Sequence, residues 1–336
     1  MLEDYKRLPK AELHLHIEGT FEPELIFSLA QKNNIALKYK SVEELRQAYQ
    51  FSDLQSFLDI YYAGMSVLRD ESDFTELANA YFARAQADGV VHAELFFDPQ
   101  AHTSRGVSFE TVVNGLDKAV KAAQATYGLS SSLIMCFLRD MSSQSAMETL
   151  ELAIQHQDKI QAVGLDSAER GNPPSKFTAV FERAIAAGFL TVAHAGEEGP
   201  PEYVTEALDK LKVSRIDHGV RSLEDDKLVA RLVKEQIPLT VCPLSNLKLK
   251  VVQELSQHNL KKMLELGIMA TINSDDPAYF GGYINQNYFE AARALALTDE
   301  QIIRLAQNSI HASFIDKQQK QIYLDSIAKQ FSLASS

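Results

Sequence analysis

A chain of 336 residues is long enough for one large domain or two ordinary ones, and 46% hydrophobic with 23% charged residues is a soluble, globular balance. The formal net charge of −12 disfavours nucleic acid and anionic membrane surfaces as partners, while leaving room for a small neutral ligand in a cleft. Cys136 and Cys242 lie far apart in apolar runs, which suits buried thiols better than a disulfide. Residues 1–10 lack the apolar stretch of a secretion signal and no apolar run approaches a membrane span, so the expected location is the cytoplasm. A homo-oligomer is compatible with the sequence, which carries no signature of one.

In chain order, the first strand carries Glu12-Leu13-His14-Leu15-His16-Ile17-Glu18-Gly19. Positions i and i+2 of a strand share a face, so His14 and His16 point at one spot while Leu13, Leu15 and Ile17 take the other face. Residues 23–33 read as an amphipathic helix, with Leu25, Ile26, Leu29 and Ala30 on one side. Residues 41–88 read as helical throughout, with a stripe of Phe57, Leu58, Tyr61, Tyr62 and Met65 and a second helix over 73–87. This insertion follows the first strand and is placed to roof a pocket.

From there strands and helices alternate. Strands fall at 90–97, 132–138, 162–166, 190–195, 215–219, 239–242 and 269–273. Helices fall at 109–127, 145–156, 176–187, 202–211, 224–235 and 260–266, and helices fill 284–315 and on to 331. Eight βα units predict an α/β fold, a parallel (β/α)8 TIM barrel with a helical insertion after the first strand and extra C-terminal helices. A single domain over 1–336 is expected. No Gly-x-Gly-x-x-Gly follows the first strand, which disfavours a dinucleotide-binding sheet.

Catalytic groups of such barrels sit at the C-terminal ends of the strands. Strand one supplies His14 and His16 there, strand five His194 and then Glu197, strand six Asp217 and His218, and strand eight Asp275 and Asp276. Any one of them alone reads as a satisfied polar residue. Three imidazoles, His14, His16 and His194, with the Asp275 carboxylate and an open position suit catalytic Zn2+, whose use is to activate water near neutral pH. The end of strand four, Gly164-Leu165-Asp166-Ser167-Ala168-Glu169, has no lysine to bridge two metals, so one ion per subunit is expected. Glu197 is placed to hold a proton as general acid, with its neighbour Glu198 as the lesser candidate. His218 is placed to orient the water or take its proton. Asp275 and Asp276 cannot project alike, so one is free for the substrate.

These segments, with His194-Ala195-Gly196-Glu197, Ile216-Asp217-His218-Gly219, Cys242-Pro243-Leu244-Ser245-Asn246 and Asn273-Ser274-Asp275-Asp276-Pro277, resemble the adenosine/adenine deaminase family in order and content over residues 12–277. The resemblance implies a one-zinc barrel that hydrolyses the 6-amino group of a purine base in purine salvage. It implies that His14, His16, His194 and Asp275 bind zinc, that Glu197 gives a proton to N1 and that His218 assists the water. Asp276 would accept from the N7 side and the Gly164 backbone would face N3. Within the family the chain looks closest to the adenine branch. Adenosine deaminases typically have Asp where Glu18 stands, and the longer Glu18 would occupy part of the ribose space. Residues 167–177 and 56–65 also look like the adenine branch. Adenosine and N6-substituted adenines remain alternative substrates. A related barrel hydrolase acting on a cyclic amide or ester, and a non-catalytic metal-binding barrel, are the rival readings.

Overall fold

The computed structural model describes residues 5–51 and 54–334. Eight parallel strands run in sequence order around a (β/α)8 TIM barrel: β1 (Lys10–His16), β2 (Val90–Phe97), β3 (Ser130–Leu138), β4 (Ile160–Asp166), β5 (Leu190–Ala195), β6 (Arg215–His218), β7 (Leu239–Val241) and β8 (Ala270–Ile272). The last two strands are shorter than their apolar runs. Pro243 ends the β7 run, and beyond β8 a side chain takes over part of the ladder: Asn273 Oδ1 accepts from Leu13 N–H at 2.8 Å. The seam to β1 is then stitched by the Asp275 backbone, which donates to His14 O (3.1 Å) and accepts from His16 N–H (3.0 Å).

Along β1 the register against β2 slips by one residue between Glu12 and Leu15, the signature of a bulge. Upstream of the bulge, Lys10 and Glu12 reach Asp88 and Tyr81 of the surrounding helices. Downstream, His14 and His16 turn onto Phe96 inside the barrel, while Leu13, Leu15 and Ile17 join the outer core, as alternation predicts. The inner layer is small: Phe96, Ile134, Cys136, Ala162 and Val192, with Phe314 against it. Beneath it Arg215 and Glu94, both fully buried, pair at 2.6 Å, and Arg215 also donates to Leu13 O and stacks on Phe314. The C-terminal extension thus closes the floor of the barrel.

Residues 41–88, expected to be helical throughout with a second helix over 73–87, form three helices: Val42–Ala48, Leu54–Met65 and Glu71–Ala87. Ser41 and Asp70 cap the first and third, and Asp70 makes a capping box with Asp73, each fixing a new helix start. Phe57 and Tyr61 stack on Phe280 and Tyr279, which follow β8, so the insertion does lie over the C-terminal face. The outer helices follow ordinary rules. Phe109–Tyr127 starts at the Ser108 cap, ends at Gly128 with φ 66°, and buries Val112, Val113 and Leu116. Removing one such side chain, as in Leu116→Ala, costs about 2–5 kcal/mol. Both cysteines are buried and free, and no helix of the described residues is long and apolar enough to cross a membrane.

Candidate active site

At the C-terminal ends of the strands four imidazoles surround one carboxylate. His16 Nε2 lies 3.2 Å from His194 Nε2, and Asp275 Oδ1 lies 3.2 Å from His14 Nε2 and 3.5 Å from His16 Nε2. In three of the rings the other nitrogen faces a fixed polar group. His14 Nδ1 meets Thr240 Oγ1 at 3.0 Å, His16 Nδ1 faces Asp166 Oδ2 at 3.5 Å, and His194 Nδ1 faces Asp217 Oδ2 at 3.6 Å. Thr240 in turn donates to Asp217 (2.8 Å), which sits 3.7 Å above the floor arginine Arg215.

Thr240 accepts at His14 Nδ1 and carboxylates face Nδ1 of His16 and His194, an arrangement that favours protons on Nδ1 and leaves the Nε2 lone pairs beside the Asp275 carboxylate. His14 Nε2 is buried with no hydrogen-bond partner. Lone pairs facing one another with no proton between them repel, and a cation at their centre removes the repulsion. The donor set, three nitrogens and one oxygen, is that of a tetrahedral or five-coordinate zinc site.

His218 is the fourth ring: its ligand atom lies within 4.8 Å of those of His14, His194 and Asp275, whereas His16 groups with Asp275 and Asp276 and with Asp98 and Asp166. The Nδ1 of His218 has no hydrogen-bond partner, as at His194, but no carboxylate of the described residues faces it, while Nε2 of the same ring faces Glu197 Oε2 (3.5 Å) and Asp275 Oδ2 (3.7 Å). Burial holds His218 well below the ordinary imidazole range and brings His16 down to about 3, so both are neutral near pH 7. Ser167, His218 and Asp275 have φ of 71°, 63° and 64°, a left-handed conformation that costs non-glycine residues roughly 1–3 kcal/mol each. Such strain is kept where a side chain must be aimed.

Glu197 follows β5 on a loop built around one residue. Glu169, nearly fully buried, accepts the N–H groups of Gly196, Glu197, Glu198 and Gly199 at 2.7–3.1 Å. Arg139 donates to His194 O at 2.6 Å and holds the strand end beneath. Of the two adjacent acids, Glu197 lines the pocket and receives Asn246 Nδ2 at 3.4 Å, whereas Glu198 turns toward Arg170. Burial, reinforced by Asp275, pushes the Glu197 carboxyl well above the usual range, as an acid that holds its proton requires. Asn246 is itself held by His258 Nε2 at 3.1 Å.

The remaining wall is made by Asp276, Asp98, Asp166 and Ser167, and the roof by Phe57, Leu58, Tyr61, Tyr62 and Phe280. Asp276 packs so tightly against Gly19 that a Cβ there would lie 2.0 Å from its Oδ1, which explains the glycine of the first motif. Two expected residues fall elsewhere. Gly164 does not line the pocket. Its missing side chain makes room for Cys136 Sγ, which a Cβ would meet at 2.6 Å, so the β4 residues on the pocket are Asp166 and Ser167.

Glu18 also stands behind the wall rather than in the cavity. Its Oε1 accepts from Asp98 N–H (3.2 Å) and faces His102 Nε2 (2.8 Å), which Arg105 backs at 2.8 Å. Asp98, Asp166, Ser167 and Glu169 were given no role from the sequence. The strand-end rule that found Asp275 would also have found Asp98 and Asp166; Glu169 offered no local signal, because its partners lie 27–30 residues away.

Residues 9–330 match the family model described as "Adenosine deaminase". An adenine deaminase of Acinetobacter baylyi is 61% identical over 322 residues, covering 96% of this chain and 97% of that protein. An adenine deaminase of Streptomyces coelicolor is 59% identical over 309 residues, with 92% and 91% covered. The crystal structure of adenine deaminase from Arthrobacter aurescens, 53% identical, superposes with a TM-score of 0.95 over 96% of this chain and 99% of that one. On the extent of these matches, this chain belongs to the adenosine deaminase family.

Proposed function

We propose that this chain hydrolyses adenine to hypoxanthine and ammonia, with one Zn2+ held by His14, His16, His194 and Asp275. The reading is carried by one observation: three Nδ1-anchored imidazoles and an aspartate converge beside a buried glutamate inside a roofed pocket. The similarity to proteins named adenine deaminase supports the substrate. Zinc bound there would supply Lewis-acid activation of a water for attack at C6.

The protein's own groups do the rest. Protonated Glu197 gives its proton to N1, neutralising charge that develops mainly in the transition state. His218, facing both Glu197 and Asp275, takes the proton of the attacking water and orients it. Asp276 faces N7. The expected role was that of an acceptor, but N7 of the 9H purine carries a lone pair, so Asp276 serves N7 as a donor, in its protonated form. Phe57, Tyr61 and Phe280 exclude water from the ring faces. The chain would act as a single domain on a small purine base in the cytoplasm, in purine salvage, without nucleic acid.

The test is a side-by-side assay of the zinc-loaded protein on adenine, adenosine and N6-methyladenine, following the loss of adenine absorbance, with metal analysis of the same sample. Turnover of adenine with about one zinc per chain is expected. Turnover of adenosine alone, or of no aminopurine, would overturn the reading.

A further inference from the structure

The metal cluster and Glu197 use β1, β5, β6 and β8, which leaves the arc of the rim from β2 to β4 without a part in the reaction. Two Asp-Pro steps border the pocket, at Asp98-Pro99 after β2 and Asp276-Pro277 after β8. Their backbones match: φ −112°, ψ 81° at Asp98, and φ −117°, ψ 75° at Asp276. Each aspartate occupies a helix N-cap position, yet neither side chain caps its helix. An N-cap aspartate ordinarily accepts from the first turn. Here each carboxyl is instead turned to the pocket, buried, with its Oδ1 lacking any partner.

The barrel order says which part of a purine each one meets. With C6 at the cluster, N1 at Glu197 (β5) and N7 at Asp276 (β8), the far side of the ring faces the arc from β4 to β2. Followed from Glu197, the purine perimeter runs N1, N3, N9, N7. The strands run β5, β4, β2, then past β1 to β8. Ser167 on β4 falls on the N3 side, and Asp98 on β2 falls beside N9.

We propose that Asp98 is the residue that selects the unsubstituted purine base, its buried carboxyl accepting the N9–H that a nucleoside lacks. This rests on the deamination reading for the placement of C6, N1 and N7. Glu18 is its positioning residue: it holds the Asp98 N–H and is itself held by His102. A 9-substituted purine would bring carbon against a buried oxygen and leave it unpaired, the situation in which sites discriminate most strongly.

The test compares kcat/KM of the zinc-loaded full chain for adenine and 9-methyladenine, alongside calorimetric binding of hypoxanthine and 9-methylhypoxanthine. The wild type should prefer adenine by about a thousandfold or more. Asp98→Ala should lose about a hundredfold on adenine and little on 9-methyladenine, so that the preference falls to about tenfold. Asp98→Asn, which keeps a carbonyl acceptor in place, should stay within about tenfold of the wild type on adenine. An unchanged preference in Asp98→Ala, or equal use of both bases by the wild type, overturns the proposal. If the wild type does not turn over adenine, the deamination reading fails, and the Asp98 assignment is decided separately by whether Asp98→Ala loses the wild-type preference for hypoxanthine over its 9-methyl form. Should Asp98→Ala not fold, the decision passes to the wild-type binding comparison and to Asp98→Asn; equal binding of the two hypoxanthines then overturns the assignment.

Discussion

The two halves of the pocket rim are built differently. On the metal half, the three imidazole ligands sit on β1 and β5, and the Nδ1 of each faces a group of the barrel wall: Thr240, Asp166 or Asp217. On the other half, Asp98 and Ser167 begin the loops after β2 and β4, and the Asp98 backbone is held from behind the wall by Glu18 with His102. The first arrangement orients the ligands; the second adds substrate contacts, joined to the first through Asp166, which faces His16 and lies within 4.8 Å of Asp98. Changes on the metal half should therefore abolish reaction or metal binding, and changes on the other half should alter preference among purines.

The largest expected effect is at the acid. Glu197→Gln keeps the shape and the Asn246 contact but has no proton to give, so kcat should fall about 10^2–10^4-fold with zinc content unchanged. A variant with normal turnover would remove Glu197 from the chemistry.

The support of that acid predicts a pH effect on stability. Burial lowers His258 to about 4, with its Nδ1 accepting from Leu260 N–H. The unfolded chain binds this proton first as pH falls, so the stabilisation is complete above about 6.5 and lost toward pH 4, worth up to about 3 kcal/mol. Thermal melts at pH 7 and pH 4.5 should show a smaller loss in His258→Gln than in the wild type. Parallel losses would show that His258 carries no such linkage.

Next comes the anchoring of the ligands. Asp217→Asn touches no proposed ligand atom but weakens the hold on His194 Nδ1 and on Thr240, and should cost about 10–100-fold in zinc affinity by competition with a chelator. Affinity equal to the wild type would mean that the strand alone orients the imidazole. The smallest effect belongs to the other half. Glu18→Gln keeps an oxygen for the Asp98 N–H but weakens the His102 pair, so adenine kcat/KM should drop only about 3–10-fold, with metal content intact. Loss of zinc in that variant would erase the distinction between the two halves.

Much of the fold was legible because the alternation of apolar strands and amphipathic helices has a period that local sequence reveals. The cluster was legible for a related reason: His14 and His16 share a strand face, and His194, His218 and Asp275 fall at strand ends where such barrels place their chemistry. Three features were hidden. The bulge between Glu12 and Leu15, which turns β1 from outward Glu12 to inward His14, leaves no mark in the apolar pattern. The fresh helix start at Asp70 was written in a capping residue but masked by continuous helical propensity. The role of Glu18 could not be read because its partners are 80 and 84 residues away.

By itself, the sequence determined the barrel, the set of imidazoles and carboxylates at its rim, and the family. These follow from periodicity and from residue types at strand ends, both local properties of the chain. Only the tertiary structure decided which nitrogen of each histidine is bare, which of Glu197 and Glu198 enters the pocket, and that Glu18 acts through Asp98. Those depend on which groups meet across the barrel and on burial that removes water as a competing partner, and neither exists until the chain has closed.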